Sequence, residues 1–273
     1  MTDRVTVSQK DGVADVRLSR PDKMNALDPA MFEALVETGK SLSSDRSVRA
    51  VVLSGEGRAF SAGLDFSSFA AMAGGARRDG AERPPRNLFD RDPASPANHA
   101  QRAGWVWTEV PVPVIAAIHG VAYGGGLQIA LGADIRYVAP DARLSVMEIK
   151  WGLVPDMSGT QTLRHLVRLD VAKELAFTGR VISGAEAVEL GLATHLSDTP
   201  REAALALARE IAGKSPSAIR AMKRLFNASV VSDVAEGLRL EESLQGSLLG
   251  KPHQVEAVKA NLEKRDPRFT DPD

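Results

Sequence analysis

Apolar and polar residues alternate along Val5–Lys10 and again along Val13–Leu18, and Asp11-Gly12 between them is the dipeptide of a type I′ turn, so the chain opens on a β-hairpin. A loop, Arg20-Pro21-Asp22-Lys23-Met24-Asn25-Ala26-Leu27, leads to Asp28. That residue can cap a helix beginning at Pro29 whose inner face is marked by Phe32, Leu35, Val36 and Gly39. Residues 50–53 and Val114–Ile118 are short apolar runs rich in β-branched side chains, the pattern of buried strands. Beyond the centre of the chain no strand is predicted. Residues 170–178, 184–190, Pro200–Ala212, 216–228, 233–248 and Pro252–Glu263 read as helices, with Gly179, Gly191 and Gly213 at or just past their ends. Strands and helices alternating in the first part, then helices alone, predict an α/β core over 1–199 with a helical region over 200–273.

Residues 66–105 follow neither period. They are rich in Gly, Ala, Pro and Arg, as in Met72-Ala73-Gly74-Gly75 and Arg83-Pro84-Pro85-Arg86, and a loop this long in a compact domain is either mobile or functional. Arg77, Arg78, Arg83, Arg86 and Arg91 are offset by Asp79, Glu82, Asp90 and Asp92, which argues against a nucleic-acid patch. Trp105 and Trp107 are expected to pack on the core, with a lid over an apolar ligand as the alternative.

The central stretch runs from Val114–Ile118 through Gly124, Gly125 and Gly126 into Leu127, Ile129, Ala130 and Leu131: strand, glycine turn, helix. Glycines let a backbone approach a ligand closely, and the first N–H groups of a helix have no partner inside it, so an oxygen gaining negative charge is stabilised there. A phosphate loop needs Lys and then Ser or Thr after its last glycine, and Gly126-Leu127 follows instead. Gly55-x-Gly57 after a strand lacks the third glycine of a dinucleotide site, because Phe60 occupies its place. The plain alternative for the three glycines is close packing.

Composition narrows the choice. The 273 residues allow one large domain or two, and 34 Lys plus Arg against 35 Asp plus Glu give no reason to expect nucleic acid or an anionic membrane as partner. The absence of cysteine removes disulfides and thiolate metal sites. No apolar run is long enough to span a bilayer and Met-Thr-Asp-Arg has no signal pattern, so a cytoplasmic protein is expected. The five histidines show no H-E-x-x-H spacing, His119 is expected to be structural, and no Gly-x-Ser-x-Gly elbow is present.

Two glycine-bearing turns, Ala62-Gly63-Leu64-Asp65 and Gly124-Gly125-Gly126, each follow a strand. With Arg20-Pro-x-Lys-x-Asn-Ala-Leu27, Ala59-Phe-Ser-Ala-Gly-Leu-Asp65, Ile118-His-Gly-x-Ala-x-Gly-Gly-Gly126, Ala133-Asp-Ile-Arg-Tyr137, Gly152-Leu-Val-Pro155, Gly159-Thr-Gln161 and Glu263-Lys-Arg265, the chain resembles the crotonase superfamily, the enoyl-CoA hydratase/isomerase family, nearly end to end. The resemblance implies a crotonase-like ββα spiral core with a C-terminal helical trimerisation region, and assembly as a homotrimer or a dimer of trimers. It implies an acyl-CoA substrate of the kind met in fatty acid metabolism. It further implies that the backbone N–H groups of Leu64 and Gly125 hold the thioester oxygen in an oxyanion hole and that no cofactor is needed beyond the CoA of the substrate. Lys23, Ala26, Ala62, Leu64 and Asp65 fall at positions that contact CoA, and Lys264 at that of a lysine reaching a phosphate, often across a subunit boundary. The aromatic residue expected three places before it is Asn261 here.

Proton transfer is where the chain departs from the family's hydratases, which resemble one another in carrying two glutamates. The first position is Gln128 and the second Glu148. Gln128 has no titratable group, so it can orient a water or substrate but cannot be a base. Glu148 is the expected base, against the plainer reading of an ion pair with Lys150 or Arg143. Asp156 stands where hydratases tend to have glycine, as in the family's dienoyl-CoA isomerases, although those also carry an acid at position 128. Its plainer reading is a helix cap, but Ser158 with Gln161 already supplies the pattern of a capping box. One well-placed carboxylate can take a proton from one carbon and return it to another, so the expectation is double-bond isomerisation of an enoyl- or dienoyl-CoA. Hydration of a 2-enoyl-CoA is the near alternative. A catalytically silent family member binding acyl-CoA or a partner is the alternative of another class.

Overall fold

The structure is a computed structural model and describes residues 4–67, 88–93 and 95–272. Most of the Gly-, Ala-, Pro- and Arg-rich stretch expected to be either mobile or functional, including 72–75 and 83–86, lies outside the described residues. Strands β1 (Val5–Lys10) and β2 (Val13–Leu18) form the expected hairpin, and its turn residues Asp11 and Gly12 both have positive φ, 52° and 78°, as a type I′ turn requires. From β2 the sheet continues in parallel through β3 (Ala50–Gly55) and β4 (Val114–Ile118), each buried along its whole length.

Helix α1 (Pro29–Ser44) starts as the sequence predicts: the Asp28 carboxylate accepts the N–H of Met31 at 2.8 Å, and Arg4 holds that carboxylate from the other side. Its face of Met31, Phe32, Leu35 and Val36 lies in the main core. Gly39 permits close approach to α2 (His99–Glu109), where a Cβ would stand 2.4 Å from Val106. Trp107 is fully buried in that core and Trp105 half-buried.

After β4 the chain makes β5 (Val121–Tyr123), the short helix α3 (Gly125–Leu131), β6 (Ile135–Val138), β7 (Arg143–Ser145) and a 3₁₀ turn at Glu148–Trp151. Helices α4 (Gly159–Leu166) and α5 (Leu169–Thr178), strand β8 (Ile182–Ser183), helix α6 (Gly184–Glu189) and strand β9 (His195–Leu196) follow. The six-stranded sheet has the order β1-β2-β3-β4-β6-β9, and β5-β7-β8 form a second sheet of three strands. Strands therefore continue past the centre of the chain, contrary to expectation. β8 and β9 are two residues long, too short to carry a period of two, and exist because β7 and β6 offer them edges.

Four helices complete the chain: α7 (Pro200–Ala212), α8 (Pro216–Ser229), α9 (Val234–Leu248) and α10 (Pro252–Glu263). The first of them belongs to the sheet: Ala204, Ala208 and Ala212 bury themselves against Val13, Ala50, Val52, Ile115 and Ala117, the face opposite the main core. The last three, with the turn between α8 and α9, leave Phe226, Val231, Val234, Leu238 and Leu262 exposed.

Candidate active site

Two backbone turns meet at the end of the sheet. Beyond β3 the chain pairs briefly with β5, Ser61 N–H donating to Val121 O and Tyr123 N–H to Ser61 O, each at 3.0 Å. The loop of residues 20–27 runs along the same segment: Ala62 N–H donates to Met24 O, Leu27 N–H to Gly63 O and Asp65 N–H to Leu27 O, at 2.8, 2.8 and 3.0 Å. Gly63 N–H donates to the Ser61 hydroxyl at 3.2 Å, which leaves Leu64 as the amide of this segment without an acceptor. Gly63 has a φ of 82° and lies so close to the second turn that a Cβ would stand 2.5 Å from Tyr123 O and 3.7 Å from Gly125 N. Only glycine satisfies both the left-handed backbone and that contact. Gly125 opens α3. Neither the Leu64 nor the Gly125 N–H has an acceptor among the described residues. Two unused donors thus sit on adjoining turns.

Glu148 lies against the same turn. A Cβ on Gly124, which has a φ of 49°, would be 3.2 Å from Glu148 Oε1. The side chain is 8% exposed. Oε1 accepts from Gln128 Nε2 at 2.5 Å, while Oε2 is buried with no hydrogen-bond partner. Burial pushes the Glu148 carboxyl above the ordinary carboxylate range; the backbone N–H of Glu148 itself and the hydrogen bond from Gln128 oppose the rise, and the Asp156 charge adds a smaller one. No ion pair joins Glu148 to Lys150 or Arg143 among the described residues.

Gln128 is 2% exposed on α3, and its amide oxygen accepts the N–H groups of Met157 and Gly159 at 2.8 and 2.9 Å. The expected capping box at the start of α4 does not form. Ser158 takes a left-handed conformation with a φ of 69°, its hydroxyl is buried without a partner, and the Gln161 amide turns to Thr160. Gln128 caps the helix from a distant element, which releases Ser158 from that task. Asp156 is exposed in the preceding turn and makes no cap hydrogen bond either.

The family model described as enoyl-CoA hydratase/isomerase matches residues 8–272. The chain belongs to the enoyl-CoA hydratase/isomerase family. It is 36% identical over 267 residues, 96% of this chain and 80% of its relative, to the mitochondrial Delta(3,5)-Delta(2,4)-dienoyl-CoA isomerase of Homo sapiens. It is 34% identical over 248 residues, 90% of each, to a probable enoyl-CoA hydratase of Bacillus subtilis. Among solved structures, a putative enoyl-CoA hydratase from Streptomyces coelicolor superimposes with a TM-score of 0.86 at 34% identity, covering 98% of this chain and 94% of that one. Relatives with both kinds of name lie at similar distance, so kinship shows the family and does not choose between hydratase and isomerase.

Several positions that the family resemblance assigns to CoA form one strip. Lys23 and Ala26 lie on the 20–27 loop, whose Met24 and Leu27 join it to the segment of Ala62, Leu64 and Asp65 through the backbone bonds described above. Lys23 is exposed at the end of a 3₁₀ turn. Asp65 is buried, paired with Arg20 at 2.8 Å, and accepts from Ser67, so its side chain is committed to the protein. Lys264 caps the exposed end of α10, and no interaction among the described residues ties it to this strip within one chain. His119 bonds to Gly57 O at 3.0 Å and supports the loop. The residue that sequence reasoning passed over is Asn25. Fully buried, it accepts from Arg20 N–H and donates to Glu56 O and Ala59 O, fastening the 20–27 loop to the segment that carries Leu64. Its signal was present, since it sits inside the quoted motif as a polar residue with no chemistry of its own to perform.

Proposed function

We propose that this protein shifts a carbon–carbon double bond of an enoyl- or dienoyl-CoA, with Glu148 as the base and the N–H groups of Leu64 and Gly125 holding the thioester oxygen. One observation carries the reading: a single buried carboxyl with one bare oxygen lies beside two unpaired backbone donors. Oε2 of Glu148 takes a proton from the carbon next to the thioester carbonyl. The C–H electrons move into the carbonyl, whose oxygen becomes an enolate stabilised by the two amides, and the existing double bond conjugates with it. The same carboxylic acid then returns the proton two carbons further along, the electrons flow back, and the double bond lies in conjugation with the thioester. Fixed donors of this type contribute ~10²–10³ each in rate. No step calls for a metal or a redox group.

Hydration requires a water that is held, deprotonated and added, together with a proton delivered to the neighbouring carbon. Gln128 is poorly placed for that task, because its oxygen accepts two backbone N–H groups and its nitrogen donates to Glu148. The decisive assay follows absorbance with 2-enoyl-, 3-enoyl- and 3,5-dienoyl-CoA thioesters. Turnover of the 3-enoyl or dienoyl compound, with little water addition to the 2-enoyl one, supports the proposal. Hydration as the main activity replaces it with the hydratase reading. CoA binding without any turnover, in a protein that also ignores Glu148→Gln, points to the silent family member.

Assembly belongs to the same proposal. The exposed apolar residues of α8–α10 need cover, and a trimer, or a pair of trimers, of this chain would supply it. Lys264 would then reach a CoA phosphate on a neighbouring copy. A monomeric mass in sedimentation at working concentration would remove both statements.

A further inference from the structure

We infer that Gln128 is a positioning residue for Glu148: its amide, locked by the Met157 and Gly159 N–H groups, presents its nitrogen to Oε1 and leaves Oε2 as the working oxygen. The inference rests on Glu148 being the base. The geometry leaves little freedom. An amide oxygen has two lone pairs, and here both are taken, at 2.8 and 2.9 Å, by main-chain donors of a turn and a helix start. The amide therefore cannot flip without losing both bonds, so its nitrogen must face Glu148. A donor fixed in that way binds one carboxylate oxygen and orients the carboxyl plane, and the other oxygen is left buried and unpartnered.

Three consequences follow. The lone pair offered to the substrate is the same in every molecule, which is the orientation a proton shuttle between two carbons needs. The donated hydrogen bond favours the ionised carboxylate and, together with the backbone N–H of Glu148 itself, tempers the rise caused by burial. The same amide also fixes the Asp156 turn relative to the base, because Met157 and Gly159 lie just beyond it. Asp156 is the charged group among the described residues whose field acts on Glu148, so Gln128 bears on the base through its own hydrogen bond and through the turn that carries this charge.

The test compares Gln128→Leu and Gln128→Glu with the parent in the full-length protein. Glu148 is titrated by carbon-13 NMR of glutamate-labelled protein, its signal identified by loss in Glu148→Gln, and the pH profile of 3-enoyl-CoA turnover is recorded in parallel. Leucine removes the donor. Glu148 should then titrate at higher pH than in the parent, and kcat should fall roughly 10- to 100-fold with KM little changed. Glutamate keeps an acceptor for Met157 and Gly159 but opposes Oε1 with a second carboxylate, so the upward shift should be larger still, and this variant stands in if leucine prevents folding. A folded variant in which Glu148 titrates as in the parent overturns the inference. The NMR shift needs no turnover: a shift in a protein that isomerises no enoyl-CoA keeps the Gln128 coupling and sinks the catalytic reading, whereas turnover without a shift does the reverse.

Discussion

The candidate site has a backbone half and a side-chain half, and the two are built on different principles. The backbone half, Leu64 and Gly125, is held by a ladder of main-chain hydrogen bonds among residues 24–27, 61–65 and 121–123, and its donors belong to the peptide whatever the side chain. The side-chain half, Glu148 with Gln128 and Asp156, hangs on three side chains from three separate segments and changes character with any of them. In the proposed reading the first half stabilises the enolate intermediate and the second half decides where the proton goes.

The sharpest break in the comparison comes from removing the base. Glu148→Gln keeps shape and hydrogen-bonding capacity but cannot accept a proton, so 3-enoyl-CoA turnover should fall ~10²–10⁴-fold. CoA binding, measured by calorimetry, should stay within about twofold. Equal losses of both would mean that Glu148 holds the site together rather than acting in it.

On the backbone side the same logic predicts insensitivity to side chains and sensitivity to geometry. Gly63→Ala drives a Cβ to 2.5 Å from Tyr123 O at a φ of 82° and so must displace one donor turn from the other. Turnover should drop roughly 10²–10³-fold, the effect of losing one such donor. Leu64→Ala keeps the N–H and should reduce kcat far less. Comparable kcat losses in the two variants would detach the chemistry from the main chain.

The two halves also differed in how far they could be read from sequence. Gly63, Gly124 and Gly125 mark the backbone half because few residues tolerate its φ values and contacts, so the constraint is written into the residue type. The β-hairpin, α1 and the buried strands were legible for the same reason: Asp11-Gly12, Asp28-Pro29 and continuous β-branched runs each have one local physical meaning. The side-chain half depends on partners 20 to 31 positions apart. That Gln128 caps α4 and displaces the Ser158–Gln161 capping box is invisible locally, because S-x-x-Q has the right spacing and only the tertiary contact overrules it. The short strands β8 and β9 escaped likewise, since their existence depends on the edges they meet. The packing of α7 on the outer face of the sheet runs across the division drawn at 199/200, where sequence offered only a change from mixed to helical pattern.

A buried carboxyl with a raised pKa also makes a prediction about stability, smaller than the kinetic effects. In the folded state Glu148 holds its proton to higher pH than in the unfolded chain. Between the unfolded value, near 4.5, and the folded one, the native state binds more protons, so stability falls as pH rises through that window. A glutamine amide in place of the Glu148 carboxyl carries no such penalty. Thermal melts of Glu148→Gln and parent should nearly coincide at about pH 4 and separate toward neutrality, with the variant the more stable. A constant difference across that range would show that Glu148 is not ionising under strain. The catalytic rate should run the other way, rising with pH through the folded value as the base loses its proton.

The weakest effect belongs to Asp156, and it discriminates most finely. Since this residue neither caps α4 nor makes a hydrogen bond to it, Asp156→Asn should leave the melting temperature within about 1–2 °C, the expectation for an exposed surface change. Loss of its charge removes one cause that raises the Glu148 pKa, so the acidic limb of the 3-enoyl-CoA profile should move slightly to lower pH. If Asp156 also serves as the second acid, the rate on a 3,5-dienoyl-CoA, where the proton must arrive further from the thioester, should fall well beyond that on a 3-enoyl-CoA. Equal small changes on both substrates would confine Asp156 to its electrostatic influence and leave Glu148 as the one group that both removes and returns the proton.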